Sequence, residues 1–286
     1  MRISGKAAIG SVIVLLAGIL IWQFDNLSGR GLFKNESIAT EESSTRSWNE
    51  AVNTEISSDV LEQLQEESDS ATYELQVNRL KNLITALDVH EKFKQEVERL
   101  IKEGHSLPDV LIAYEFLYQS YGRMQDLEPL IKQKEDGKEW DAVFTDYNRK
   151  HETYVPRSFD SEYLEGLLKT PGVTPDDIML ADRLSFVTDT EVKDILEDRL
   201  ESDKSWKQIA VELNVLNGSS SLPRVQITEE ELAAFSTDTF TEDNVAEAFV
   251  LAQKLAETPE SVVELMQAGK SEEAIMAASY SHKYSS

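Results

Sequence analysis

Residue types that carry enzyme chemistry are present in this chain, but they do not form a recognisable catalytic or metal-binding pattern. Acidic runs at 189–194 and 238–244 lack the spacing and the glycine of a calcium loop. The chain has no serine-nucleophile motif of the GxSxG type and no glycine-rich phosphate loop. No HExxH pair occurs, and the histidines are isolated at His90, His105, His151 and His282. The sequence therefore predicts no catalytic residue, no metal site and no cofactor, and we expect the protein not to be an enzyme.

Aromatic residues are the one chemically useful group that clusters. Of the 4 Trp, 9 Tyr and 10 Phe in the chain, ten lie between Tyr114 and Tyr163. A tyrosine-lined groove suits a peptide or glycan partner, because each ring offers apolar area and a hydroxyl. The size of the cluster favours the core of a helical unit, but the groove stays open as an interpretation. The candidate partner-binding residues are Tyr118, Tyr121, Tyr154 and Arg157.

The charge balance restricts the class of partner. The chain has 53 acidic and 28 basic side chains, with a net charge of −25, and contains no cysteine. A surface this acidic repels nucleic acid and anionic lipid, and no basic stripe interrupts it, so we expect no nucleic-acid partner. The lack of cysteine excludes disulfides, thiolate metal sites and a cysteine nucleophile.

Residues 7–24 form a nearly continuous apolar run and predict a transmembrane helix. No charged residue lies between Lys6 and Asp25, which gives a run at the short end of a membrane span. A cleaved signal peptide is the alternative, but the bulky residues that follow the run favour an uncleaved anchor. Residues 1–6 then form a short cytoplasmic tail, and the acidic body lies outside the cytoplasm at the cell membrane.

The rest of the chain predicts an all-α body. Residues 25–47 have the composition of a flexible stalk, and the period of the apolar residues in 48–104 indicates helices. Three helical repeats follow, which we call unit 1 (105–160), unit 2 (161–222) and unit 3 (223–280). The final residues, 279–286, are expected to be a frayed tail.

Two kinds of marker define the units. Ser106, Thr174 and Thr241 each stand where a hydroxyl can cap a new helix, with a polar residue three positions later. A second marker begins a later helix: Trp206 follows Trp140 by 66 residues, and Glu272 follows Trp206 by the same interval. Each unit is predicted to contain about four short helices, which stack as an α-solenoid or form an irregular bundle.

The segment DKSWKQIAVELNV at 203–215 resembles a turn-and-helix motif of the form G-K-S-W-x-x-I-A-x-x-L-G-V. That form occurs in tandem helical segments of uncharacterised membrane-anchored or exported bacterial proteins. Asp203 and Asn214 stand where the form has glycine. The resemblance implies a packing and capping signature and brings no known activity.

These features predict a membrane-anchored, extracytoplasmic helical-repeat protein that acts as an interaction or scaffold module of the bacterial cell envelope. Helical repeats provide long binding surfaces without a reaction centre, and the expected partner is another envelope protein. Two alternatives stay open: an envelope enzyme or regulator of wall modification, and a sensory ectodomain that works through a membrane partner. Function is expected in the loops that differ between units.

Overall fold

The computed structural model describes residues 11–15 and 53–285; 68% of it is helical, and the predicted all-α class is confirmed. The N-terminal segment and unit 1 contain α1 (Ser58–Glu66), α2 (Ser70–Ala86), α3 (Glu91–Lys102), α4 (Leu107–Ser120), α5 (Leu127–Glu135) and α6 (Trp140–Lys150). Unit 2 contains α7 (Ser161–Lys169), α8 (Pro175–Thr188), α9 (Val192–Glu201) and α10 (Trp206–Glu212). Unit 3 contains α11 (Glu229–Phe235), α12 (Glu242–Leu255), α13 (Pro259–Gln267) and α14 (Glu272–Ser285).

The predicted transmembrane helix and stalk lie mostly outside the described residues. Within the predicted span only β1 (Ser11–Leu15) is described, and it pairs antiparallel with β2 (Arg224–Thr228). The structure differs here from the predicted helix, since valine and isoleucine favour an extended backbone and β2 offers an edge for pairing. None of the helices in 53–285 is both long and apolar enough to cross a lipid bilayer.

Units 2 and 3 each begin with a short helix, α7 and α11, that unit 1 lacks, and the three helices that follow have counterparts in all three units. Each has a 14-residue helix, namely α4, α8 and α12. These helices end at Tyr121, Asp189 and Ala256, whose φ angles of 57°, 57° and 55° lie in the left-handed region. Residues other than glycine seldom adopt this conformation, so its recurrence at one place indicates a common geometry. A helix of nine or ten residues and a third helix then follow in each unit.

Left-handed backbone also explains how this chain departs from the motif that it resembles. Asp203 and Asn214 occupy the two positions where the motif has glycine, and their φ angles are 50° and 58°. Gly137 and Gly269, at the turn equivalent to Asp203, have φ angles of 94° and 83°. The motif's glycines therefore mark left-handed positions, and Asp and Asn are among the few other residues that tolerate them.

Hydroxyl caps begin the first long helix in units 2 and 3, as the sequence predicts. The hydroxyls of Thr174 and Thr241 each accept a hydrogen bond from the amide three residues on. The side-chain oxygens of Asp177 and Asn244 in turn accept one from the backbone amide of the capping threonine. These capping boxes satisfy amides that the first helical turn leaves free. The prediction is wrong for Ser106, which makes no such bond because its side chain is engaged with the Asp109 carboxyl.

Two apolar cores hold the described helices together. The larger core joins the N-terminal segment with units 1 and 3, and the smaller core belongs to unit 2 and receives Tyr121 from the end of α4. The last helix, α14, packs most extensively against α6 and α4 of unit 1 rather than against helices of its own unit. This is bundle packing, since units of a linear stack contact only their neighbours in the chain.

The C-terminal residues are part of that packing, so the predicted frayed tail is wrong for 279–285. Tyr280 and Tyr284 are buried. Glu115 of α4, itself buried, accepts hydrogen bonds from Lys283 Nζ at 2.8 Å and from the Tyr284 hydroxyl. A buried carboxylate requires such partners, and they fix the end of α14 in place.

The recurring tryptophan is a packing residue with a polar anchor. Trp206 is buried, and its Nε1 donates to Asp177 Oδ1 over 2.8 Å. Arg199 lies over the indole ring at 5.4 Å and places its Nε 3.3 Å from the same carboxylate oxygen. In unit 1, Trp140 lies in the same way beside Asp109. The tryptophan thus ties α10 to α8 in unit 2 and α6 to α4 in unit 1.

Candidate binding cleft between the units

A cleft of about 800 Å³ opens where the three units meet. Its walls come from the ends of α4 and α6, the linker at 151–157, the second half of α8, and the start of α14. Ligand sites in proteins commonly have volumes of roughly 300–1,000 Å³. The cleft is therefore large enough for a short peptide, and every unit contributes to it.

Three of the four candidate partner-binding residues line this cleft, namely Tyr121, Tyr154 and Arg157. Tyr118 lies instead in a neighbouring cavity of about 950 Å³. The loop at 217–223 contributes residues to both cavities and bounds the cleft on that side. Tyr118 is tied to this loop, because its Oη lies 3.2 Å from Ser219 Oγ.

Most of the aromatic cluster that the sequence singled out is core rather than groove. Tyr114, Phe116 and Phe144 are each 0% exposed, and the two phenylalanine rings stack with their centroids 3.9 Å apart. Only the edge of the cluster reaches the cleft, through Tyr121, Tyr147 and Tyr154. The helix face of tyrosines predicted on α4 therefore points mainly inward.

The linker between units 1 and 2 is fastened to α8 by Asp182, which is only 1% exposed. Its carboxylate accepts hydrogen bonds from Tyr154 Oη at 2.8 Å and from the Arg157 amide at 3.1 Å. It also forms an ion pair with Arg157 Nε at 2.5 Å. Burial, and then the Asp182 carboxylate, raise the pKa of Tyr154, which keeps this phenol a donor. The linker is thus held against α8 as one wall of the cleft.

Arg183 is the central cation of the cleft. Its guanidinium lies between two tyrosine rings, 4.8 Å from the centroid of Tyr121 and 4.5 Å from that of Tyr154. One Nη donates to the Ser120 carbonyl at 2.9 Å. It forms no ion pair with a carboxylate in 53–285. Burial lowers the pKa of Arg183, but an arginine keeps its charge under these conditions.

Other donors near Arg183 also lack a partner in the described part of the chain. Arg123 Nε and the Tyr121 hydroxyl are buried without a hydrogen bond. Burial raises the pKa of Tyr121 to about 12, so the hydroxyl keeps its proton. Burial, and then the Asp126 carboxylate that accepts from its hydroxyl at 3.4 Å, raise the pKa of Tyr147, while the charges of Arg183 and Arg123 act to lower it. Both guanidinium groups therefore lie near one phenol.

Acidic residues surround these cations toward solvent. Glu152, Asp189 and Glu191 are exposed on the cleft wall, and Glu272 and Glu273 contribute from α14. Two of these carboxylates are engaged, Glu272 with Lys254 at 3.3 Å and Glu273 with Asn148 at 2.9 Å. The cleft thus has a half-buried positive centre and an acidic rim.

The sequence analysis missed Arg123 and Arg183. A signal was present for Arg183, since Asp182 and Arg183 interrupt the apolar residues at 178–187 that form the buried face of α8. Adjacent opposite charges inside such a run indicate buried polar groups. The sequence offers no way to tell which of the two finds a partner.

Glu103, His105 and Glu128 form the one described group whose ligand atoms lie close enough together to hold a metal ion, within 4.8 Å. Arg99 already donates to both Glu103 and Glu128, the latter at 3.1 Å. Its guanidinium supplies the positive charge that these carboxylates need. The group therefore acts as an ion-pair network that joins α3 to α5.

No family model, no curated protein and no solved structure matches this chain. This result agrees with a resemblance that reaches only proteins of unknown function. The function therefore has to be argued from the cleft itself.

Proposed function

We propose that the protein is a non-catalytic interaction module that binds a segment of another envelope protein in the cleft between its three helical units. The observation that carries the proposal is the cleft wall formed by Tyr121, Tyr154, Arg157 and Arg183. Tyrosine and arginine are the residue types that contribute most to protein interfaces. Asp182 holds this wall in one conformation, so binding costs little ordering of side chains.

The units themselves are the scaffold of this module. Matching helix lengths and matching left-handed residues support their origin as copies of one helical unit. The parts that differ between them, the linker at 151–160 and the loop at 217–223, border the cleft. Variable connections on a common scaffold are where binding residues usually occur.

A cross-linking experiment tests where the partner binds. A photo-reactive residue at Glu191, on the cleft wall, is introduced into the full chain in the cells that produce it. The matched control carries the same residue at Glu264, which is exposed on α13 and does not line the cleft. We expect a discrete protein adduct from position 191 and none from 264. Equal adducts at both positions, or none at 191, would contradict the proposal.

We also propose that residues 7–24 tether the module to the cell membrane, with the body outside the cytoplasm; in the membrane, residues 11–15 give up their pairing with β2. The support is the uncharged run between Lys6 and Asp25. The net charge of −25 also keeps the body itself from lying on anionic lipid. A C-terminal fusion to a reporter that is active only outside the cytoplasm is expected to be active. Activity of a reporter that works only inside the cytoplasm would reverse the orientation.

A further inference from the structure

We propose that the cleft binds the C-terminal carboxylate of the partner segment, with Arg183 and Arg123 as its cationic partners and the acidic rim contacting basic residues just before that carboxylate. This inference rests on the proposed function, because it specifies the chemistry of the segment that docks in the same cleft. It concerns one group, a peptide terminus, and excludes nucleic acid and phosphate as the natural ligand.

The distribution of arginine pairs is the first argument. Arg183 and Arg123 form no ion pair with a described carboxylate, and both line the cleft. In contrast, ion pairs with acidic side chains are made by Arg99, Arg149, Arg157, Arg199 and Arg224. Asp182 and Asp126 lie nearby, but Asp182 is engaged with Tyr154 and Arg157, and Asp126 with Tyr147. In a chain with 53 acidic residues, two partly desolvated guanidinium groups with no carboxylate at ion-pair distance are an electrostatic cost. A ligand carboxylate removes that cost.

The surroundings of the Arg183 guanidinium favour a planar ligand group. Two tyrosine rings pack against this guanidinium, with centroids 4.8 Å and 4.5 Å from the guanidinium carbon, and they restrict the directions from which a ligand can approach. The edge of a guanidinium matches a planar carboxylate, which accepts two parallel hydrogen bonds. The stacked rings and the bond to the Ser120 carbonyl also fix the guanidinium before the ligand arrives.

Donors nearby lack acceptors, which is the second argument. The Tyr121 hydroxyl and Arg123 Nε are buried and without partners in the described chain. A buried donor that makes no hydrogen bond has lost its bond to water without a replacement, which destabilises the unliganded protein. A carboxylate that enters the cleft and lets these side chains turn toward it supplies the missing acceptors. The opposite ligand, a cation, would leave them unsatisfied.

The rim and the far wall identify which carboxylate is bound. Glu152, Asp189 and Glu191 repel a polyanion but attract lysine or arginine next to the bound group. The loop at 217–223 lines the cleft and also the neighbouring cavity, and so separates the two. A chain that ends inside the cleft needs only one way in, whereas an internal glutamate would need space for the chain on both sides.

The test measures binding of a fluorescein-labelled pentapeptide, two lysines followed by three alanines, to the full chain in detergent micelles at fixed ionic strength. We expect the free-carboxylate peptide to bind about tenfold or more tightly than its C-terminal amide, because charge-assisted bonds are lost in the amide. Arg123→Gln and Arg183→Lys are each expected to reduce this preference several-fold. Arg149→Gln, whose side chain is 72% exposed and pairs with Asp146 outside the cleft, is the matched control and should leave binding unchanged.

Several outcomes would overturn the inference. Equal binding of acid and amide would do so, as would no binding of either. Tighter binding of an amidated peptide with an internal glutamate would assign the site to an acidic side chain instead. Competition by inorganic phosphate that exceeds competition by acetate would assign it to phosphate. Unfolding curves in urea confirm that each variant is folded. If Arg183→Lys does not fold, Arg123→Gln still tests the inference.

Failure of this inference is distinguishable from failure of the proposed function. If position 191 cross-links a partner but neither Arg123→Gln nor amidation of the peptide changes binding, the proposed function is supported and the carboxylate site is refuted. If no partner is cross-linked at position 191, the proposed function is refuted, and so is the carboxylate site that depends on it.

Discussion

Replacement of Phe144 by alanine is expected to lower the free energy of unfolding by about 3–5 kcal/mol. Phe144 is 0% exposed, stacks on Phe116 at 3.9 Å and meets the edge of Tyr280 at a centroid distance of 6.4 Å. Its removal opens a cavity at the contact between α6 of unit 1 and α14 of unit 3. Since tightly packed neighbours relax only partly into such a cavity, both transfer and cavity contributions are lost.

Urea denaturation followed by circular dichroism measures this change. Leu265→Ala is the matched control, because Leu265 is an apolar residue of unit 3 with 40% exposure. Its replacement is expected to lower the free energy of unfolding by no more than about 1 kcal/mol. The loss in free energy of unfolding for Phe144→Leu should lie between these two values, since leucine retains part of the buried volume. A loss for Phe144→Ala no larger than that for Leu265→Ala would show that units 1 and 3 do not share a core.

Replacement of Asp182 by alanine is the second large effect that we expect. The variant leaves Tyr154 Oη and the Arg157 amide without their acceptor and breaks the ion pair to Arg157 Nε. Hydrogen bonds to charged groups contribute about 1.5–3 kcal/mol each. The Arg157 side chain is 44% exposed, so part of its charge is rehydrated. We therefore expect a net loss of about 3 kcal/mol, together with release of the linker from α8.

Limited trypsin digestion reports on the linker directly. Cleavage after Arg157 is expected to be about tenfold faster or more in Asp182→Ala, because a fixed backbone segment resists proteolysis until it opens. Asp146→Ala is the matched control: it also removes an aspartate with two basic partners, Lys138 and Arg149, but at the surface. It should cost no more than about 1 kcal/mol and leave this cleavage rate unchanged. Unchanged cleavage in Asp182→Ala would mean that the linker is held by other contacts.

Local features of the fold were accessible from the sequence because they depend on residues close together in the chain. Thr174 and Thr241 cap helices through residues three positions away, and the sequence displays both members of each pair. Ser106 has the same pattern, yet its hydroxyl is engaged with the Asp109 carboxyl and does not bond an amide of the first turn. The pattern alone does not reveal this difference. Local pattern thus predicted where the helices begin better than it predicted each hydrogen bond.

Long-range pairings were not accessible. Glu115 and Lys283 are 168 positions apart, and nothing in either segment indicates the other. The residues 279–285 therefore appeared to be a tail, although their tyrosines are buried. The same limit applies to the cleft. Tyr154 and Arg157 were predicted as binding residues, but the roles of Asp182 and Arg183 depend on the position of α8 beside the linker at 151–157.

Closure of α14 onto α4 and α6 has a consequence for how such a protein changes during evolution. An open array gains or loses a copy at little cost, because each copy touches only its neighbours. Here a fourth copy inserted between the second and third would separate surfaces that now meet, including Glu115 with Lys283 and Phe144 with Tyr280. Copy number is therefore constrained, and we expect descendants of this chain to diversify through the lengths and residues of their connecting loops.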